Sequence, residues 1–263
     1  MTKTLALVAD DYGLAPAIDR GILRLAARGR LSATSCIVNA PGWAAAAPAL
    51  NGVAIGTGLH FNLTEGRPLS DALRARWPVL PALPKLIALA HLHLLPIAAL
   101  GDELRAQLAA FEAARGQAPT HLDGHQHVHH LPQLRALALE LVRERPGLRL
   151  RNTGDVRGPG FAFKRALIAG TGGRTLARRL HPLKQAQNDA LFGVYDFVSS
   201  DYRQLFRGWL AALPGRGGLL FCHPGEQAPG DAIARARVRE LAYFDSDDFV
   251  RDLAEAGVSL ATH

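Results

Sequence analysis

Short apolar runs that end in polar residues recur along this chain, and segments with helical spacing separate them. Residues 4–9 lead into Asp10 and Asp11, and residues 53–63 deliver His60. Residues 120–123 run into a histidine cluster, residues 148–151 end at Arg151, and residues 218–222 end at His223. Helical periodicity marks residues 17–27, 102–115, 132–144, 202–213, 232–242 and 247–256; Ile18, Ile22 and Leu25 share one face of the first. Strands alternating with helices predict an α/β fold with a parallel sheet or a barrel. In such folds sites form at the carboxyl ends of the strands, which is where these polar residues fall.

The chain has 263 residues, enough for one large α/β domain or two small ones. At this size roughly three quarters of the unfolded surface can be buried, so no disulfide framework is needed. Cys36 and Cys222 sit inside apolar strand-like runs and read as small buried hydrophobes, which suits a reducing cytoplasm. Met1-Thr2-Lys3 leads straight into the first strand, so no signal peptide is expected. Residues 70–100 are rich in Pro, Leu and Ala and read as an insertion or lid; Pro84, Lys85 and Pro96 interrupt them too often for a membrane span.

The formal net charge is +7. No acid lies between Asp155 and Asp189, whereas Arg157, Lys164, Arg165, Arg174, Arg178, Arg179 and Lys184 all do. The basic excess is therefore local and suggests an anionic partner. Nucleic acid fits poorly, because the stretch lacks interleaved aromatics beyond Phe161 and Phe163.

Two adjacent acids at the end of a buried strand are costly unless something uses them. Where the chain turns, Asp10 and Asp11 can both reach one site, one to bind a metal and one to handle protons. The segment from His121 to His130 holds five of the chain's eleven histidines. If it stays extended, His125, His127 and His129 share one face. Imidazoles with one carboxylate suit a divalent metal that keeps open positions. Asp11, His60 and one histidine of the cluster would form the ligand set. Asp10 would then be free as general base, with His223 as a candidate general acid.

Four strings resemble one family. Ala9-Asp10-Asp11-Tyr12-Gly13 is similar to the Ala-Asp-Asp-Phe-Gly opening of the YdjC-like carbohydrate deacetylases, with Tyr12 in place of Phe. That family includes chitooligosaccharide deacetylases and hopanoid-associated deacetylase-like proteins. The stretch from Gly58 to Gly66, the stretch from Thr120 to His129, and Cys222-His223-Pro224-Gly225 resemble its later motifs, in the same order. The resemblance implies a distorted (β/α) barrel of the polysaccharide-deacetylase type. Residues 1–263 then read as a single domain, in which residues 70–100, which match no motif of the family, are the lid-like insertion that their composition suggests. The resemblance also implies one divalent ion, magnesium or zinc, on Asp11, His60 and His125, with His127 as second choice. Asp10 matches the base and His223 the acid.

The activity so implied is hydrolysis of an acetyl amide on an N-acetylated sugar; a non-catalytic carbohydrate- or lipid-binding protein is the alternative. Residues 83–100 and the basic stretch further suggest an amphiphilic, lipid-linked sugar. It would be handled in the cytoplasm, with peripheral contact to an anionic membrane surface.

Overall fold

The computed structural model describes residues 3–183, 188–215 and 217–261. Its strands are β1 (Lys3–Tyr12), β2 (Ala33–Cys36), β3 (Gly56–Phe61), β4 (His121–Gly124), β5 (Arg149–Leu150), β6 (Leu191–Phe192), β7 (Gly218–Cys222) and β8 (Val258–Leu260). They form one sheet in the order β5-β4-β3-β2-β1-β7-β6, with β8 also on β1. Every strand pairing among the described residues is parallel. The helices are α1 (Pro16–Ala27), α2 (Trp43–Ala46), α3 (Asp71–Arg74), α4 (Leu83–His91), α5 (Ile97–Arg115), α6 (Leu134–Glu144), α7 (Ala162–Ile168), α8 (Arg174–Leu180), α9 (Tyr202–Ala211), α10 (Ala234–Asp245) and α11 (Asp247–Glu255).

The arrangement is a distorted, incompletely hydrogen-bonded (β/α) barrel. β1 is its central strand: β7 lies along one edge, while β8 beside its start and β2 beside its end share the other. With both edges paired and both faces covered, the strand reads as a nearly continuous apolar run, as parallel strands do. The outer strands β5 and β6 have two residues each. An isolated bridge between Val156 and Leu191 and the side chain of Asn188 draw their neighbourhoods together. Asn188 Oδ1 accepts from Asn152 N–H at 2.8 Å, and its Nδ2 donates to Asn152 O at 2.8 Å.

Pro16 starts α1, which buries Ile18, Ile22, Leu25 and Ala26 as the spacing predicts. α5 begins at Ile97, five residues before the expected start, because Ala99 and Leu100 add an apolar turn that packs in the core. Part of the Pro- and Leu-rich stretch is helical, in α3, α4 and the start of α5. Leu73, Leu86 and Ala90 anchor α3 and α4 in the core, while Leu92 and Leu94 are exposed. Most of the acid-free stretch is also helical: α7, a π-helical turn (Ala169–Gly173) and α8. Lys184, one of its seven basics, lies outside the described residues.

The histidine cluster is the clearest departure from expectation. It forms a 3-10 turn (His125–His130), with Gln126 and His127 both left-handed at φ 52° and 62°. The segment is therefore not extended, and His125, His127 and His129 do not share one face. The coil needs a close approach at Gly124, where a Cβ would meet the His129 amide nitrogen at 2.8 Å.

Candidate active site

At the carboxyl end of β1 the ladder slips out of register between Ala9 and Tyr12, and Asp11 adopts a left-handed φ of 74°. That kink lets two consecutive carboxylates serve one site, which a regular strand would forbid. The site faces a cavity of about 700 Å³, and Asp10, Asp11, His60, His125, His127 and His223 are in its lining.

Asp10 and Asp11 are both buried, yet they are held differently. Arg151, from the end of β5, forks onto Asp10, with Nη1 to Oδ2 at 2.7 Å and Nη2 to Oδ1 at 2.6 Å. Such bidentate pairs fix orientation as well as charge. Arg237, from α10, donates through Nη2 to Asp11 Oδ2 at 2.8 Å and through Nε to Asp231 Oδ2 at 2.6 Å. Asp11 Oδ1 is left facing two imidazoles, with His125 Nδ1 at 3.0 Å and His60 Nε2 at 3.4 Å. Burial by itself would raise the Asp11 carboxyl, but Arg237 and His125 outweigh it and hold the group well below the usual range.

His60, on β3, is oriented from behind. Its Nδ1 lies 2.6 Å from Asp123 Oδ1, which aims Nε2 at Asp11. A carboxylate on the far nitrogen is the usual support for a ligating histidine. Asp123 in turn accepts from Ser35 Oγ at 2.7 Å and pairs with Arg151. Burial disfavours the charged form of His60, yet Asp123 and Asp10 carry its pKa up to about 10. Asp11 and Glu65 likewise outweigh burial at His125 and carry it up to about 9. His125 Nε2 lies 3.1 Å from Glu65 Oε1, on the cavity wall.

Among the described residues, two three-residue groups bring their donor atoms within 4.8 Å of one another: Asp11, His60 and His125, and Asp10, His60 and Asp123. The first suits a divalent ion better. In the second, both oxygens of Asp10 are bound by Arg151, and Asp123 is bound by His60, Ser35 and Arg151.

The other cluster histidines serve elsewhere. His129 Nε2 donates to the Arg151 carbonyl at 3.0 Å. His130 contacts the hydroxyls of Thr153 and Thr171 at 2.9 and 3.1 Å. His121 lies against the Ser35 hydroxyl at 2.9 Å, over Gly58, where any Cβ would strike the imidazole. His127 packs edge-on against Phe221 and lines the cavity away from the Asp11 group.

His223 follows β7 and meets the edges of Phe197 and Phe221. Burial, with help from Arg237 and His60, lowers its pKa to about 4 against the pull of the two aspartates, so the imidazole is neutral at pH 7. Its backbone N–H donates to Glu240 Oε2 at 2.5 Å, and Glu240 also accepts from the Tyr195 hydroxyl. Sequence reasoning gave no role to Arg237, Glu240, Ser35 or Glu65. Asp123 and Glu65 lay within the recognised strings, but nothing local marks Arg237 or Glu240 among the charged residues of α10.

The family described as YdjC-like protein matches residues 4–255. The chain belongs to this family. A carbohydrate deacetylase of Homo sapiens is 40% identical over 136 residues, covering 49% of this chain and 42% of that protein. A chitooligosaccharide deacetylase of Salmonella schwarzengrund is 32% identical over 159 residues, covering 57% of this chain and 60% of that protein. The match thus spans about half the length of these relatives. A solved structure described as a putative cellobiose-phosphate cleavage protein of Enterococcus faecalis V583 superposes with a TM-score of 0.78 and 21% identity. That superposition covers 100% of this chain and 98% of the other, and supports the shared fold.

Proposed function

We propose that this YdjC-like chain is a metal-dependent hydrolase that removes the acetyl group from an N-acetylated sugar. One observation carries the reading: Asp11, His60 and His125 converge as a donor set while Asp10 and His223 face the same cavity. Asp11, His60 and His125 would hold one divalent ion, magnesium or zinc, which when bound supplies Lewis acidity for the amide carbonyl and acidifies water.

Asp10 is the base. Arg151 fixes its plane, and a carboxylate has lone pairs beyond the two that the fork uses, so a water can still donate to it. His223 is the acid that protonates the leaving amine. Because its resting imidazole is neutral, the proton it delivers is the one that Asp10 takes from the attacking water, passed to His223 before the C–N bond breaks. Phe197 and Phe221 at its edges keep water from competing.

The cavity is larger than a single sugar needs and has apolar walls, including Leu14, Ile18, Leu83, Leu167 and Val194. This supports an amphiphilic substrate, an N-acetylated sugar carried on a lipid. Residues 70–100 then act as a lid-like insertion in a single domain, Leu83 being their contribution to the cavity. Cys36 and Cys222 are free and buried, consistent with action in the cytoplasm. Among the described residues no helix is long and apolar enough to cross a membrane.

The test is mass spectrometry of N-acetylated sugars, free and lipid-linked, after incubation with the protein with added zinc or magnesium or with a chelator. Acetate release that depends on the metal is expected. No release from any substrate by the metal-loaded protein would reject the hydrolase reading in favour of a binding protein on the same fold.

A further inference from the structure

We propose that the stretch from α7 through α8, with the start of α6, is the face by which this protein docks on an anionic lipid bilayer, bringing the cavity mouth to that surface. The inference extends the lipid-carried substrate proposed above and shares Leu167 with it, and adds the exposed Phe163 and the arginines of α8 and α6.

α7 exposes its apolar side chains. Phe163 is 82% exposed and Leu167 is 50% exposed, and four residues apart they lie on one helix face. Leu167 and its neighbour Ile168 also line the cavity, so the apolar face continues into the mouth. Lys164 lies there too, its ammonium 2.8 Å from the Tyr195 carbonyl and over the Phe197 ring.

Beside this face the charge is one-signed. Arg174, Arg178 and Arg179 on α8 are exposed. Arg135 joins them from the first turn of α6: its Nη1 donates to the His130 carbonyl at 3.3 Å. Gly172 packs against that same carbonyl so closely that a Cβ there would lie 2.0 Å from it, which brings the start of α6 against the start of α8. Among the described residues none of Arg135, Arg165, Arg174, Arg178 or Arg179 forms an ion pair. Arg135 also stands at the positive end of its helix dipole. Cations gathered this way repel one another unless an outside anion neutralises them.

The apolar component selects the occupant. A soluble polyanion would use the arginines and leave Phe163 in water. A second copy meeting through this face about a two-fold axis would oppose arginine to arginine. An anionic leaflet satisfies both, with headgroups for the arginines and the acyl boundary for Phe163 and Leu167.

The experiment is co-sedimentation with vesicles of phosphatidylcholine alone and of phosphatidylcholine with phosphatidylglycerol, at low and high salt. The wild type should bind the anionic vesicles, more weakly at high salt, and not the neutral ones. The double change Arg178→Ala with Arg179→Ala should weaken binding on the order of thirtyfold, and Phe163→Ser on the order of tenfold. The Asp10→Asn protein should bind as the wild type does. Acetate release from short soluble N-acetylated oligosaccharides, measured in parallel, reports the hydrolase reading separately. Failure to sediment with anionic vesicles would overturn the proposal. So would an arginine effect without a Phe163 effect while polyphosphate competes, or a dimer that Phe163→Ser dissociates in the absence of lipid.

Discussion

Asp10, Asp11 and Asp123 lie at the strand ends, each with a guanidinium against it. Arg174, Arg178 and Arg179 lie beyond the helical wall of the cavity with no carboxylate against them among the described residues. The first region is a closed set: Arg151 and Arg237 reach from β5 and α10 to acids more than a hundred residues earlier, and burial makes each partner obligatory. The second is open, with like charges and apolar side chains presented outward. Its charges lie close together in sequence, whereas the strand-end set is assembled by the fold. On the functions proposed above, one region would hold a reaction in fixed geometry and the other would meet something outside.

That contrast makes graded predictions. The largest effect is expected at the donor set. Asp11→Ala, His60→Ala and His125→Ala should each lose bound metal in elemental analysis and lose acetate release. Stoichiometric metal in all three would show that the closed set is only structural. Next come Asp10→Asn and His223→Ala, which should keep the metal and slow turnover by roughly a hundred- to ten-thousandfold. A near-normal rate for Asp10→Asn would remove it as base.

A smaller effect should follow Asp123→Asn. His60 then loses the carboxylate that orients its Nδ1, and metal affinity should fall by roughly ten- to a hundredfold. Zinc titration measures it, and an unchanged affinity would make Asp123 a partner of Arg151 only.

The smallest effect is on stability. Burial raises the Glu240 carboxyl to about 7 from its usual 4.5. The folded chain therefore holds this proton more tightly than the unfolded chain does. The stabilisation is full below about pH 4.5 and is lost as pH rises through about 7. Glu240→Gln cannot ionise, so its melting temperature relative to the wild type should climb between pH 5 and 8. A difference that stays flat across that range would mean Glu240 does not titrate there.

Much of the strand-end set could be read before the structure, because strand periodicity and the polar residues that end each run are local patterns. β7 falls where residues 218–222 place it, and Asp10, Asp11, His60, His125 and His223 face one cavity. What could not be read depends on distant partners. The histidine cluster coils because His125, His129 and His130 are drawn to Asp11, Arg151 and Thr153 in turn. β6, two residues long, is too short to carry a period. Arg237 meets Asp11 across 226 positions, with no spacing to betray it.

The place of β1 at the centre of the sheet bears on how the chain reaches its native state. Along Leu5 to Ala9 its partner is β7, and along Lys3 to Leu5 it is β8, so the strand is completed by two that lie far along the chain from it. Asp11 likewise waits for α10 to supply Arg237. Such non-local pairing makes for slow folding, and it leaves β1 with an unsatisfied edge until β7 and β8 have been synthesised. During that interval the nascent chain carries an apolar strand ending in two unpaired carboxylates, the segment on which a holding chaperone would act.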